Sequence, residues 1–299
     1  MSVKRITNFI ENGKTLAADG AWATMLYTRG LARDESPEKW GMDNLKVVRE
    51  IAKAYVGAGS DIISTNTFGA NWFRLASYGL QENVREYNRI TAEVSKIAAG
   101  YKTIVTGSVG PTGKSLSKDE ITRGEMFTAF QEQVVALMDG GVDAILIETM
   151  TSVEEAIIAI DAVKSARDIE LICSFGFIKN DKGHFVTIEN EPLPNVIAAV
   201  VAKEVDVIGA NCGTGIDDMI EITKQVREVE PKLPLMVYPN AGIPEDQNGR
   251  LVFPDSHEYW EERIPQLIEN RADIIGGCCG TTPKHIAIIR HTIDGDKYY

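Results

Sequence analysis

One pattern recurs along the whole chain: a short apolar run, a turn of Gly, Asn or Thr, then an amphipathic stretch. The runs fall at 15–19, 61–65, 103–108, 143–148, 170–175, 206–211, 234–238 and 272–276. Apolar strands alternating with helices pair in parallel, because each crossover lays a helix against the sheet and covers its face. Eight such units in 299 residues predict one (β/α)₈ TIM barrel, a single domain over residues 1–299; the fold usually takes about 250 residues. A doubly wound open sheet is the alternative, since counting strands does not show closure. Among the helical stretches, 44–57 places Val47, Val48, Ile51, Ala52 and Tyr55 on one face, with Gly57 or Gly59 to end it. Stretches 124–138 and 152–166 behave likewise.

Composition narrows the class of function. Apolar residues make up 44% and charged residues 25%, so the chain can bury a core and is not a disordered segment. A net charge of −12 with scattered Lys and Arg argues against nucleic acid, which needs clustered cations to release counterions. No run reaches the roughly 18 to 20 apolar residues of a membrane span, and Met-Ser-Val-Lys-Arg is not followed by the apolar stretch of a signal peptide. A cytoplasmic location is expected, and with it reduced thiols. Its four cysteines then read as ligands or core residues rather than a disulfide framework.

In a barrel, whatever follows each strand gathers at the C-terminal face, where such enzymes keep their sites. Here those positions hold Asp19-Gly20-Ala21, Asn66-Thr67-Phe68-Gly69, Gly107-Ser108-Val109-Gly110-Pro111, Glu148-Thr149, Asn211-Cys212-Gly213, Pro239-Asn240-Ala241-Gly242 and Gly276-Gly277-Cys278-Cys279-Gly280. Three of the four cysteines fall in that set. Zinc takes thiolate sulfur well, and a catalytic zinc keeps three protein ligands with one position open. Three thiolates leave the ion with a net charge of −1, a poor activator of water. A thiol arriving as fourth ligand would still lose its proton and stay nucleophilic, which suits attack on a methyl carbon. Cys212, Cys278 and Cys279 are therefore read as zinc ligands, against a vicinal disulfide or a buried apolar Cys212. Cys173, inside the fifth run, is read as core.

Glu148 at the barrel mouth can hold a substrate ammonium or act as a base; a structural salt bridge is the competing reading. Asp19 can touch ligand or cap the following turn. Asn240 lies between the strands bearing Cys212 and the cysteine pair. Its side-chain oxygen is a neutral donor for the fourth zinc position until a thiol displaces it, unless it merely fixes the turn before Ala241-Gly242. Other signals fail. The segment Gly110-Pro-Thr-Gly-Lys-Ser115 lacks the first Gly of a phosphate loop, since Ser108 stands there. His184, His257, His285 and His291 lie off the strand ends, and His285 reads as a surface residue near a helix start. Trp22 and Phe68 read as packing residues.

These motifs resemble the homocysteine S-methyltransferase family, and more closely the homocysteine-binding module of cobalamin-dependent methionine synthases. The likeness runs from Lys14 to about Ile289. It rests on Asp19-Gly-Ala, Thr65-Asn-Thr-Phe-Gly-Ala-Asn71, Gly107-Ser-Val-Gly-Pro-Thr-Gly113, Gly209-Ala-Asn-Cys212, Pro239-Asn-Ala-Gly242 and Gly276-Gly-Cys-Cys-Gly-Thr-Thr-Pro283. The resemblance implies a (β/α)₈ barrel, zinc on three cysteines, and homocysteine as methyl acceptor, giving methionine. It also implies that backbone N–H groups of Gly20 and Ala21 meet the acceptor's carboxylate, while Glu148 and the Asp19 region hold its ammonium. Trp22 and Ala23 stand where the synthase module usually has Met and Gly, and Tyr238 where it commonly has Glu. Gly69 occupies the place of a Tyr in betaine-using members, which argues against betaine.

The sequence carries no second barrel for folate and no Asp-x-His-x-x-Gly corrinoid loop, so a methylcobamide donor is expected to arrive on a separate corrinoid protein. A sulfonium is the other donor expected. Two further readings stand beside this one: a methyltransfer or demethylase component with another small thiol, and a non-catalytic zinc scaffold.

Overall fold

The computed structural model describes residues 6–247 and 250–295; the N-terminal Met-Ser-Val-Lys-Arg, where no signal peptide was read, lies outside the described residues. Eight parallel strands form one sheet: β1 Leu16–Ala17, β2 Ile62–Ser64, β3 Ile104–Val109, β4 Ala144–Met150, β5 Glu170–Phe175, β6 Val207–Asn211, β7 Leu235–Tyr238 and β8 Ile274–Ile275. Their order is β1-β8-β7-β6-β5-β4-β3-β2, with helices between them. Each begins within an expected run, and β3 and β4 extend one and two residues past theirs. The ends of this sheet, β1 and β2, meet without a regular ladder: Asp61 N–H donates to Ala17 O at 2.7 Å, and Asp61 Oδ2 accepts from Ala17 N–H at 3.0 Å. The sheet is thus a nearly closed barrel rather than the open alternative.

That aspartate belongs to a repeat. Asp143, Asp206 and Asp273 likewise sit just before β4, β6 and β8, and accept from Val105, Leu171 and Leu235 N–H at 2.8, 2.8 and 2.9 Å. Every even strand is thereby pinned at its entry to the odd strand before it. Inside the barrel pack Leu16, Ala18, Ile62, Ile104, Leu146, Ile172, Val207, Met236, Tyr238 and Ile274, since alternate side chains of a strand point to one face. The larger core lies between strands and helices.

The expected helices appear as Leu45–Gly57, Arg123–Asp139 and Val153–Ala166. Thr122 and Glu125 form a reciprocal capping box at the second, and Ser152 caps the third. Two short antiparallel hairpins were not expected from the sequence: Ile178–Lys179 with Phe185–Val186 after β5, and Glu245–Gln247 with Arg250–Val252 after β7. They are too short for a periodic signal. No helix among the described residues is long and apolar enough to cross a membrane.

Candidate metal centre and acceptor pocket

The Sγ atoms of Cys212, Cys278 and Cys279 lie within 4.8 Å of one another, the one such group of potential metal ligands among the described residues. A tetrahedral zinc about 2.3 Å from each sulfur sets them about 3.8 Å apart, so the cluster fits the ion with little adjustment. Backbone bonds stitch the two cysteine-bearing strand ends to the end of β7 between them: Cys212 N–H donates to Tyr238 O at 3.0 Å, Cys278 N–H to Pro239 O at 2.8 Å, and Ala241 N–H to Cys279 O at 2.9 Å. Cys212 has φ +57°, and Gly213 follows at +74°. Only glycine fits at 213, because a Cβ there would lie 2.3 Å from Phe177 O. The sharp exit from β6 aims the Cys212 sulfur toward the pair.

Charge is shared unevenly among the sulfurs. Donation from Cys278 and Cys279, the Gly213 N–H and the Asn240 side chain pulls the Cys212 thiol far below the usual thiol range, while that same donation holds Cys278 and Cys279 above it. Cys173 behaves as read, buried in β5 with its thiol pushed up by burial alone.

A cavity of about 280 Å³ opens beside the sulfurs, and its wall includes Asp19, Gly20, Ala21, Glu148 and all three cysteines. Among the described residues no Lys or Arg lines it. A larger recess of about 620 Å³ at the other end of the barrel holds none of these groups. Asp19 is buried; its Oδ2 accepts from Ser64 N–H at 2.7 Å and Trp22 Nε1–H at 3.0 Å, and its Oδ1 from Ser64 Oγ–H at 3.1 Å. Burial nevertheless pushes its carboxyl up to about 6. Glu148 accepts from the Ser108 hydroxyl, and burial, aided by the negative charge of Asp19 and Cys212, pushes it up to about 7.

Asn240 Oδ1, the atom expected at the fourth metal position, accepts from Cys279 N–H at 3.0 Å, and its side chain also donates to Cys212. Asn240 therefore braces both ligand turns. Ala21 N–H donates to Thr281 Oγ1 at 3.0 Å. Gly20 must lack a side chain, since a Cβ would fall 2.7 Å from that same oxygen.

Some readings change. Trp22 and Phe68 are not simply packing residues: both line the cavity, and Trp22 binds Asp19. His285 is buried rather than on the surface, because its Nδ1 accepts from Thr282 N–H at 3.1 Å and caps the helix Pro283–Ile293. Sequence reasoning missed Ser64, which holds Asp19, and Glu38, which lines the cavity while accepting from Gly69 N–H at 2.7 Å. It also missed Asn211. That side chain accepts from Thr149 N–H at 2.8 Å and donates to Thr149 Oγ1 at 2.6 Å; its place beside Cys212 was the only hint.

Comparison with known proteins bears on the fold and the family. The homocysteine methyltransferase MmuM from Escherichia coli, in its metallated form, superposes with a TM-score of 0.78 over 96% of this chain and 100% of that one, at 23% identity. Its apo form gives 0.72 at 22% identity, over 96% and 99%. At those identities the likeness concerns the fold. The methionine synthases of Mycobacterium leprae and Mycobacterium tuberculosis are each 28% identical over 291 and 288 residues. Those stretches cover 91% of this chain but 24% of either relative, so the chain spans about a quarter of their length. The model of the homocysteine S-methyltransferase family matches residues 16–293, nearly all of the barrel, and the chain belongs to that family.

Proposed function

We propose that this chain transfers a methyl group to the sulfur of homocysteine, giving methionine, with zinc held by Cys212, Cys278 and Cys279. The observation that carries the reading is the convergence of three sulfurs within 4.8 Å on the wall of a cavity that also presents Glu148 and Asp19. Zinc, when bound, would supply the positive charge that keeps the acceptor sulfur ionised and nucleophilic at neutral pH. The chain's own residues do the rest. Glu148, as carboxylate, takes the acceptor's α-ammonium, and Asp19, fixed by Ser64 and Trp22, adds negative potential beside it. The acceptor's carboxylate is left for the backbone around Gly20, with Ala21 available only if its bond to Thr281 is exchanged. Asn240 holds the Cys212 and Cys279 turns in register; the second lone pair of its oxygen leaves room for the exchangeable fourth-ligand role. A cavity of about 280 Å³ suits a small amino-acid thiol. The donor is a small sulfonium entering the same mouth, or a methylcobamide presented there by a separate corrinoid protein.

The test combines metal content with turnover. Zinc-loaded protein is supplied with homocysteine and, in turn, methylcobalamin, S-methylmethionine and betaine, and methionine is measured. Methionine should form with one of the first two donors. About one zinc per chain should bind; Cys212→Ser should lose most of it and Cys173→Ser none. Full zinc affinity in Cys212→Ser would end the three-cysteine assignment, and zinc uptake without homocysteine uptake would leave only a metal-binding scaffold.

A further inference from the structure

Tyr238 is the last residue of β7, and its ring fills the top of the barrel interior. Room for that ring comes from Gly276, the residue after β8, where a Cβ would lie 2.8 Å from the tyrosine Cε1. Tyr238 is only 3% exposed, it lines the acceptor cavity, and its hydroxyl has no hydrogen-bond partner among the described residues. Leaving a buried hydroxyl unpaired is costly, so native proteins seldom keep one without a use. A tyrosine side chain is ordinarily a neutral O–H near pH 7, and Asp19 and Glu148 share the cavity wall with it.

What ligand atom would meet it follows from its neighbours. With two carboxylates and a sulfur cluster close by, and no Lys or Arg on the cavity wall, a second anion is poorly placed there and a cation well placed. An α-ammonium has three N–H donors and needs three acceptors. Asp19 already accepts three hydrogen bonds, which leaves it little capacity, and Glu148 supplies only part of the remainder. Resting on the reading of the cavity as a homocysteine site, we propose that Tyr238 is a substrate-binding residue whose hydroxyl oxygen accepts one N–H of the acceptor's α-ammonium, completing a cradle with Glu148 and Asp19.

Tyr238→Phe isolates the hydroxyl: the ring stays against Gly276, and no hydrogen bond within the protein is lost. Zinc-loaded wild type and variant are titrated calorimetrically with homocysteine, with 4-mercaptobutanoate (no ammonium) and with propanethiol (neither head group). Homocysteine affinity should fall by roughly 10- to 150-fold, the span for hydrogen bonds to a charged group. Affinity for the other two thiols, zinc content and unfolding midpoint should hold or rise. Wild-type affinity for homocysteine in the variant would overturn the proposal while leaving the site assignment intact. An equal loss for 4-mercaptobutanoate would move the hydroxyl to the carboxylate and overturn it too. Wild-type protein that binds zinc and propanethiol but not homocysteine would overturn the underlying site reading along with it.

Discussion

At the scale of single residues, the site is a set of acids held away from their ordinary behaviour. Glu148 and Asp19 are pushed up to about 7 and about 6, chiefly by burial. A raised folded-state value means that the folded protein holds protons the unfolded chain has released. The stability these two groups contribute is therefore present in acid and is lost as pH rises through about 6 and then about 7. Ligand binding should run the other way, because an ammonium prefers the carboxylate form. Homocysteine affinity is expected to strengthen as pH rises through about 7, whereas Glu148→Gln should lose that step and bind roughly 10- to 150-fold more weakly above it. Propanethiol, measured alongside, reports the part of the pH dependence that belongs to the thiol. If both ligands show the same step in wild type and variant, Glu148 does not face the ammonium.

The sulfur cluster was legible at this scale and its supports were not. Cys212, Cys278 and Cys279 could be found because each follows a strand, and a barrel brings strand ends together whatever their distance in sequence. Ser64, Ser108 and Tyr238 also stand at or near strand ends, but serine and tyrosine carry no metal-like signature, and their value lies in contacts such as Ser64 with Asp19, 45 positions away. The periodicity that locates an element says nothing about which neighbour a side chain reaches.

At the scale of elements, β4 and β6 are coupled above the sheet by one amide. Thr149 has φ +57°, a left-handed conformation that is costly for a β-branched residue. Asn211, fully buried, holds it there by pairing with both its N–H and its hydroxyl, and takes a further bond from Ser174 Oγ at 2.5 Å. Thr149 directly follows Glu148 inside β4, where the register to β5 shifts between Ile147 and Met150, so this irregularity sets where that carboxylate points. Asn211→Ala would leave the Thr149 N–H without its partner and release the irregularity, at a cost of about 1 to 3 kcal/mol. Urea unfolding of zinc-loaded protein should show that loss, and homocysteine binding should weaken with zinc still present. Unchanged binding in a destabilised variant would show that Glu148 is positioned without this lock. Elements of ordinary length were readable from sequence because they carry a period and a cap, as at Thr122 and Glu125, and even the two-residue β1 and β8 lay within apolar runs. The two hairpins carry no such signal and owe their form to neighbouring chain instead.

Across the whole molecule, the barrel divides its duties between its two ends, as this fold commonly does. The mouth holds Asp19, Glu148 and the sulfurs; the base holds the entry aspartates, three of them also paired with a cation: Asp61 with Arg290, Asp143 with Lys96 and Asp273 with Arg227. The seam between β1 and β2 is where this division can be measured, because an aspartate spans it at each end. Asp61 pairs with both backbone groups of Ala17 at the base, and Asp19 reaches the Ser64 N–H at the mouth. Asp61→Ala removes the lower acceptor and leaves the buried Ala17 N–H unpaired, while Arg290 keeps Asp294. The expected loss is about 1 to 3 kcal/mol, with faster amide exchange at Ala17. Zinc content and homocysteine affinity should match wild type, because the upper clamp still closes the seam at the site. A variant whose homocysteine affinity fell in step with its stability would show instead that the seam moves as one piece, with the mouth shaped by what holds the base.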